Sequence, residues 1–149
     1  MSSAVFHTGG SSDAHNITIE FLNSIRSGFQ KITLLADTGS DLTLIKREDG
    51  ERLGFNPDKG GEGFLVGGVG AGAVPFKKFQ TPVKIQNLSP TMIDFGVAIN
   101  HGQLRDNLLG REDILDVYDV TYSKNMVSFT PRQRMIRTMH AWNQWRYNV

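Results

Sequence analysis

The chain has 149 residues, of which 39% are hydrophobic and 21% are charged, and its formal net charge is +1. These values are those of an ordinary globular domain, and the small net charge argues against a protein whose main partner is nucleic acid. The sequence contains no cysteine, which excludes disulfides, thiolate catalysis and cysteine-ligated zinc.

Histidine content and hydropathy bear on metals and membranes. The four histidines, His7, His15, His101 and His140, are scattered along the chain, so we expect no metal site. No apolar stretch approaches the roughly 20 residues that cross a membrane. Residues 1–14 also lack the basic segment followed by an apolar segment that is typical of a signal peptide. We therefore expect a soluble chain, and its cellular location is left open.

The first element with a clear pattern is a β-hairpin. Residues 1–14 are predicted to be a flexible arm, because the segment through Ser12 is small, polar and rich in glycine and serine. Ile17, Ile19 and Phe21 then alternate with polar residues, turn-forming residues fill 23–28, and an apolar pattern returns over 29–35. Such alternation is typical of half-buried strands.

An acid follows that hairpin in a setting that suits catalysis. Asp37 opens the tetrapeptide Asp-Thr-Gly-Ser between two apolar runs, residues 32–36 and 42–45. A carboxylate at the end of a buried strand lies on a partly desolvated floor, and Gly39 allows a tight turn beneath it. An ordinary turn between two strands is the alternative.

The rest of the chain is predicted to be mostly strand. Residues 56–63 are rich in glycine, aspartate and proline, and we expect a mobile segment there. The other predicted elements are strands at 42–45, 83–85 and 92–99, a helical turn at 47–53, a short helix at 111–116, and a second hairpin with strands at 118–122 and 126–129. The pattern predicts one all-β domain over 15–131.

Two later segments complete a set of three motifs. A glycine-rich run spans 64–72, and Asn107 opens the sequence Asn-Leu-Leu-Gly-Arg. With Asp-Thr-Gly-Ser before them, at this spacing, the chain resembles the retropepsin-like aspartic proteases, the single-lobed domains of retroviruses, retroelements and some cellular proteins. The resemblance spans about 13–131 and implies an all-β, closed β-barrel lobe with a flap hairpin and one short helix. The second hairpin is more similar to that of DNA-damage-inducible ubiquitin shuttle proteins than to the shortest viral enzymes.

The resemblance implies an aspartic endopeptidase that pairs with itself. Family members cleave extended polypeptides with a water activated by two carboxylates that share a proton. This chain has one such loop, because Asp94-Phe95-Gly96 lacks the hydroxyl residue between Asp and Gly. The implied partners are a second copy, related by a twofold axis, and a protein or peptide substrate, with no metal or organic cofactor. The alternative is a non-cleaving peptide-binding or dimerisation module of the same fold.

The family pattern also assigns roles to individual residues. Asp37, Thr38 and Gly39 form the catalytic loop, and Thr38 links the two loops across the dimer. The implied substrate-binding residues are Leu35, Gly39, Asp41, Leu44, Val66, Gly67, Gly68, Val69 and Leu108. An ion pair between Asp41 and Arg111 is expected to brace the loop.

Three further interpretations concern Ser40, the glycine-rich run and the C-terminus. The Ser40 hydroxyl is expected to donate to the catalytic carboxylate and so favour an acidic pH optimum. Residues 68–73 satisfy a loose dinucleotide fingerprint, but Pro75 lies where that motif needs a helix. The basic, aromatic tail over 132–149 is predicted to be a helix packed on the body or the partner, with membrane-surface or nucleic-acid contact as alternatives.

Overall fold

The structure is a computed structural model that describes residues 3–8, 15–67 and 72–132. These residues form ten strands and one short α-helix, α1 (Arg47–Arg52). The strands are β1 (Ala4–His7), β2 (Asn16–Leu22), β3 (Phe29–Ala36), β4 (Thr43–Ile45), β5 (Glu62–Val66), β6 (Val74–Lys84), β7 (Thr91–Ala98), β8 (Leu108–Leu109), β9 (Tyr118–Ser123) and β10 (Met126–Pro131).

Six strands close into a barrel. Their order is β2, β3, β8, β4, β7, β6, and β6 pairs again with β2 to complete the ring. In the antiparallel pair β2–β3, Ile17 lies opposite Leu34 and Ile19 opposite Ile32. All four side chains are buried, because alternate residues of a strand point to the same face. The predicted first hairpin and the all-β barrel class are confirmed.

The strand β5 lies outside the ring and pairs with the first half of β6. This β5–β6 hairpin brings Phe64 opposite Phe76 and Val66 opposite Val74. The strand β6 begins at Val74 rather than at the predicted residue 83. Its outer half was missed because two adjacent lysines and Pro75 interrupt the apolar alternation. The hairpin tip, residues 68–71, lies outside the described residues.

A second sheet joins the two ends of the domain. It has three strands in the order β1, β10, β9. The predicted second hairpin is therefore present, with strands one or two residues longer than expected. The prediction of a flexible arm over 1–14 is wrong for Ala4–His7, which pairs antiparallel with β10. Ala4 is fully buried and the Phe6 ring packs edge-on against Phe129 at 5.7 Å, so apolar burial orders this strand.

The predicted helix over 111–116 is an irregular π-type turn, Arg111–Leu115. Glu112 has φ −61° and ψ 137°, and Asp113 has φ 66° and ψ −17°, so neither is helical. The Asp113 carboxylate accepts a hydrogen bond from the Asp94 amide at 2.9 Å. This contact stabilises a left-handed conformation that aspartate adopts more readily than most residues do.

The predicted helical turn at 47–53 is confirmed as α1, which packs on β7. Acidic residues occupy its first turn and Arg52 its last turn, and these charges suit the helix dipole. In the described part of the chain no helix is long and apolar enough to span a membrane. Apart from Arg132, the C-terminal tail lies outside the described residues, and its predicted helix stays a prediction. The boundaries predicted for the domain, 15–131, and for the tail, 132–149, stay predictions as well.

Candidate active site

The loop that carries Asp37 is held by backbone hydrogen bonds to the segment 107–112. The Asp37 amide donates to the Leu109 carbonyl at 3.0 Å. On the other side of the turn, the amides of Arg111 and Glu112 donate to the carbonyls of Ser40 and Asp41 at 2.9 and 2.8 Å. Backbone hydrogen bonds therefore join the first and third sequence motifs and fix the backbone at Asp37.

Gly110 allows these two segments to cross at close range. A Cβ atom at this position would lie 2.3 Å from the Leu42 carbonyl carbon and 2.5 Å from its oxygen, which no side chain could satisfy without backbone movement. The Gly110 amide also donates to the buried Thr43 Oγ1 at 3.0 Å. Glycine is thus required here by packing rather than by its dihedral angles.

The Asp37 side chain is half-buried and is oriented by its own loop. The Gly39 amide donates to Asp37 Oδ1 at 2.9 Å. The prediction that the Ser40 hydroxyl donates to this carboxylate is wrong in this structure, because Ser40 Oγ donates to the Leu42 carbonyl at 2.7 Å. Thr38 and Gly39 lie exposed at the turn, and the predicted link from Thr38 to a partner loop stays a prediction.

Asp37 lines a cavity of about 560 Å³ between its loop and the β5–β6 hairpin. Seven of the predicted site residues contribute to this lining: Asp37, Gly39, Asp41, Leu44, Val66, Gly67 and Leu108. Leu35 does not, since it lines a separate cavity of about 380 Å³ beside Lys31 and Asn107. Gly68 and Val69, the two other predicted binding residues, lie outside the described residues.

The apolar wall of the cavity is a small hydrophobic cluster, distinct from the barrel core. Leu44, Phe76, Ala98 and Leu104 are its buried members, and Leu42, Phe64, Val66, Val74 and Leu108 pack against them. The rings of Phe64 and Phe76 stack with centroids 5.8 Å apart. A Cβ atom at Gly96 would lie 2.8 Å from both Leu44 and Phe64, so this glycine lets the wall pack onto β7.

Asp41 and Arg111 form an ion pair at the edge of the cavity. The hydrogen bond to Asp41 raises the pKa of the Arg111 guanidinium above its ordinary value. The Asp41 side chain is 71% exposed and that of Arg111 44% exposed, so in the single chain the pair is well solvated and weak. Its expected role as a brace of the catalytic loop stays a prediction.

Asn107 is a structural residue of the site that sequence reasoning left without a role. Its Nδ2 donates to the Thr33 carbonyl at 3.1 Å and to Asp49 Oδ2 at 2.8 Å. Its Oδ1 accepts from the Lys46 amide at 2.7 Å. The side chain is 6% exposed and ties β3, α1 and the third motif together. Such contacts leave no periodic pattern in the sequence, so this role of Asn107 could not be predicted from it.

Two comparisons with known sequences bear on this site. A sequence model of the aspartyl protease family matches residues 23–112, more than half of the chain. No curated protein matches the sequence significantly. Among the described residues no cluster of His, Asp and Glu has the arrangement of a metal site.

Solved structures give the fold. A retropepsin-like aspartic protease from Rickettsia conorii aligns over 86% of this chain and 89% of its own, with a TM-score of 0.63 and 18% identity. EIAV protease complexed with the inhibitor HBY-793 aligns over 73% of this chain and 92% of its own, with a TM-score of 0.45 and 21% identity. The chain belongs to the aspartyl protease family and has a retropepsin-like fold.

Proposed function

We propose that the protein is an aspartic endopeptidase that hydrolyses peptide bonds in extended polypeptides. The observation that carries this proposal is the position of the Asp37 carboxylate, half-buried on the wall of a cavity of about 560 Å³. The opposite wall is the β5–β6 hairpin, whose strand edge is suited to pairing with an extended peptide. The apolar cluster beneath it offers a surface for apolar side chains beside the scissile bond.

The chemistry requires a second carboxylate, and a second copy of the chain supplies it. One carboxylate acts as the base that takes a proton from water, and the other, protonated, donates to the peptide carbonyl oxygen. The two acids hold one proton between them because like charges at short distance cannot both ionise. The sequence contains one Asp-Thr-Gly loop, so we propose a homodimer with one Asp37 from each subunit and a twofold axis between them.

The neighbouring residues receive roles in this dimer. Thr38 links the two catalytic loops across the axis, and Gly39 and Asp41 bind the substrate backbone. The β5–β6 hairpin acts as a flap that closes over the peptide, with Val66 and Gly67 lining it. Strand β5 pairs only with β6 among the described strands, and the β6–β7 ladder begins at Phe76, which supports an outer end of the hairpin that moves without disturbing the barrel.

The test is a digest of a peptide library between acidic and neutral pH, with Asp37→Asn as the matched control. We expect cleavage by the parent and none by the variant, because an amide fits the same space but cannot exchange the proton. Circular dichroism and sedimentation should show that the variant remains folded and dimeric. Near-normal turnover by Asp37→Asn would overturn the catalytic assignment.

Dilution tests the shared site. Specific activity should fall when the enzyme is diluted below the dimer dissociation constant, because a monomer holds half of the catalytic pair. Activity that stays strictly proportional to concentration far below that constant would contradict a site at the dimer interface. If the parent binds library peptides but cleaves none, the protein is instead a peptide-binding module of the same fold.

A further inference from the structure

Apart from Asp37 itself, the side chains that line the cavity carry more negative than positive charge. Its lining includes Asp41, Asp94 and Glu112, with Lys78 as its lysine. Asp41 is already paired with Arg111. Within the described ranges neither Asp94 nor Glu112 forms an ion pair. Within the described part of the chain, two carboxylates at the cavity therefore lack an ion pair.

The position of Asp94 is set by strand alternation and by one hydrogen bond. Phe95 lies in the barrel core, so its neighbours Asp94 and Gly96 face the opposite side of β7, which is the side of the cavity. The Asp94 amide donates to Asp113 Oδ2 at 2.9 Å, which fixes the backbone there. Lys78 lies opposite Gly96 in the β6–β7 ladder, diagonal to Asp94 and on the same face.

Glu112 reaches the cavity from the third motif. Its amide donates to the Asp41 carbonyl at 2.8 Å, so the residue is anchored to the catalytic loop. The adjacent Arg111 donates its hydrogen bond to Asp41 and interacts with Glu112 only through space. The two carboxylates without an ion pair thus come from elements fixed by backbone hydrogen bonds, next to the apolar cluster.

We infer that the substrate carries a lysine or arginine that Asp94 and Glu112 select, at a position outside the two residues that flank the scissile bond. This inference rests on the proposed function, which places an extended peptide in the cavity. The methylene stem of a long basic side chain packs along Phe64 and Leu42 while its charged end reaches the carboxylates. Lys78 opposes an approach by a second cation and limits the site to one basic side chain.

Matched peptides test this selection in two ways. A peptide that the enzyme cleaves is resynthesised with Lys, Leu or Glu at each position in turn, and kcat/KM is measured. In parallel, fluorescein-labelled versions of library peptides are titrated onto the Asp37→Asn variant, which reports binding without cleavage. At one position outside the flanking pair we expect Lys to exceed Glu by about fivefold or more at low salt, with the ratio falling as salt is added.

Variants assign the selection to the two acids. Asp94→Asn and Glu112→Gln should each reduce the Lys-over-Glu ratio, with kcat/KM for the Leu peptide as the neutral reference. Lys78→Gln removes a positive charge from the cavity and is the control. It should keep or raise the Lys-over-Glu ratio. A parent that shows no charge preference, or both acid variants keeping the parental ratio, would overturn this inference alone. Peptides that neither bind nor are cleaved would overturn it together with the proposed function.

Discussion

The Asp37 loop and the β5–β6 hairpin form opposite walls of one cavity but differ in how tightly they are packed. The loop is joined to the segment 107–112 by backbone hydrogen bonds. An added Cβ at Gly110 would lie 2.3 Å from the Leu42 carbonyl carbon. At Gly63 and Gly67 of the hairpin, an added Cβ would meet nothing within 4 Å. Glycine is therefore a packing requirement in the loop, whereas in the hairpin it leaves free space beside the cavity.

The base of the hairpin is held by the β6–β7 ladder, which begins at Phe76, and also by side-chain ion pairs. Arg47 of α1 donates to Asp58, to Glu51 and to the Ile99 carbonyl. Its side chain is 13% exposed, and it connects α1 and the end of β7 to the turn that leads into β5. The backbone contacts of the loop can keep Asp37 in place, while the outer end of the hairpin, beyond the β6–β7 ladder, can move on this fixed base.

The largest effect that the comparison predicts comes from Gly110→Ala. The added methyl group must displace the Leu42 backbone, and we expect the free energy of unfolding to fall by about 3 kcal/mol or more. Urea denaturation measures the change. Gly63→Ala adds the same methyl group in open space and should change the free energy of unfolding by less than about 0.5 kcal/mol. Equal losses in the two variants would remove the distinction between the two walls.

Asn107→Ala should give the next largest loss. Removing the side chain leaves the Lys46 amide and the Thr33 carbonyl without their partner. We expect a cost of about 2 kcal/mol, since each buried polar group left unpaired costs about 1–3 kcal/mol. Asn87→Ala, on an exposed turn, is the control. Unchanged unfolding of the Asn107 variant in urea would show that water replaces these contacts.

Asn107 and Gly110 also show what could not be predicted from the sequence alone. The first hairpin and the Asp-Thr-Gly-Ser loop were predictable because alternation and turn chemistry are local. The roles of Asn107 and of Gly110 depend on residues 58 to 74 positions away in the sequence. Ala4–His7 is ordered by a strand near the other end of the domain. No local pattern encodes such contacts.

A smaller effect with a distinctive pH dependence is expected from Asp58→Asn. The hydrogen bond from Arg47 lowers the pKa of Asp58 below its ordinary 3.8. The stabilisation is thus present above about pH 4 and is lost as the pH falls through the lowered pKa of the folded state. Melting temperatures at pH 7 should be lower for the variant than for the parent, and the gap should close in more acidic buffer.

The control for this experiment is Glu62→Gln, at the exposed start of β5. Within the described part of the chain Glu62 forms no ion pair, so its amide variant should track the parent at every pH. A gap for Asp58→Asn that is constant with pH would mean that the amide acts through packing rather than through charge.

The smallest effect on stability, with a selective effect on activity, is expected from Gly67→Ala. Neither Gly67 nor Gly63 needs a positive φ, and each has space for a methyl group, so both alanine variants should unfold like the parent. Gly67 lines the cavity and Gly63 does not. A methyl group at 67 therefore occupies space that the substrate backbone needs, and kcat/KM for a cleaved peptide should fall with Gly67→Ala alone.

Gly72→Ala completes this series. An added Cβ would also meet nothing within 4 Å there, but φ is +98°, so alanine should cost about 1–2 kcal/mol through backbone strain. The three variants separate space, strain and contact with the substrate on a single hairpin. If Gly63→Ala lowers kcat/KM as much as Gly67→Ala does, the glycines act through the motion of the whole hairpin, and direct contact between residue 67 and the peptide is ruled out as the cause.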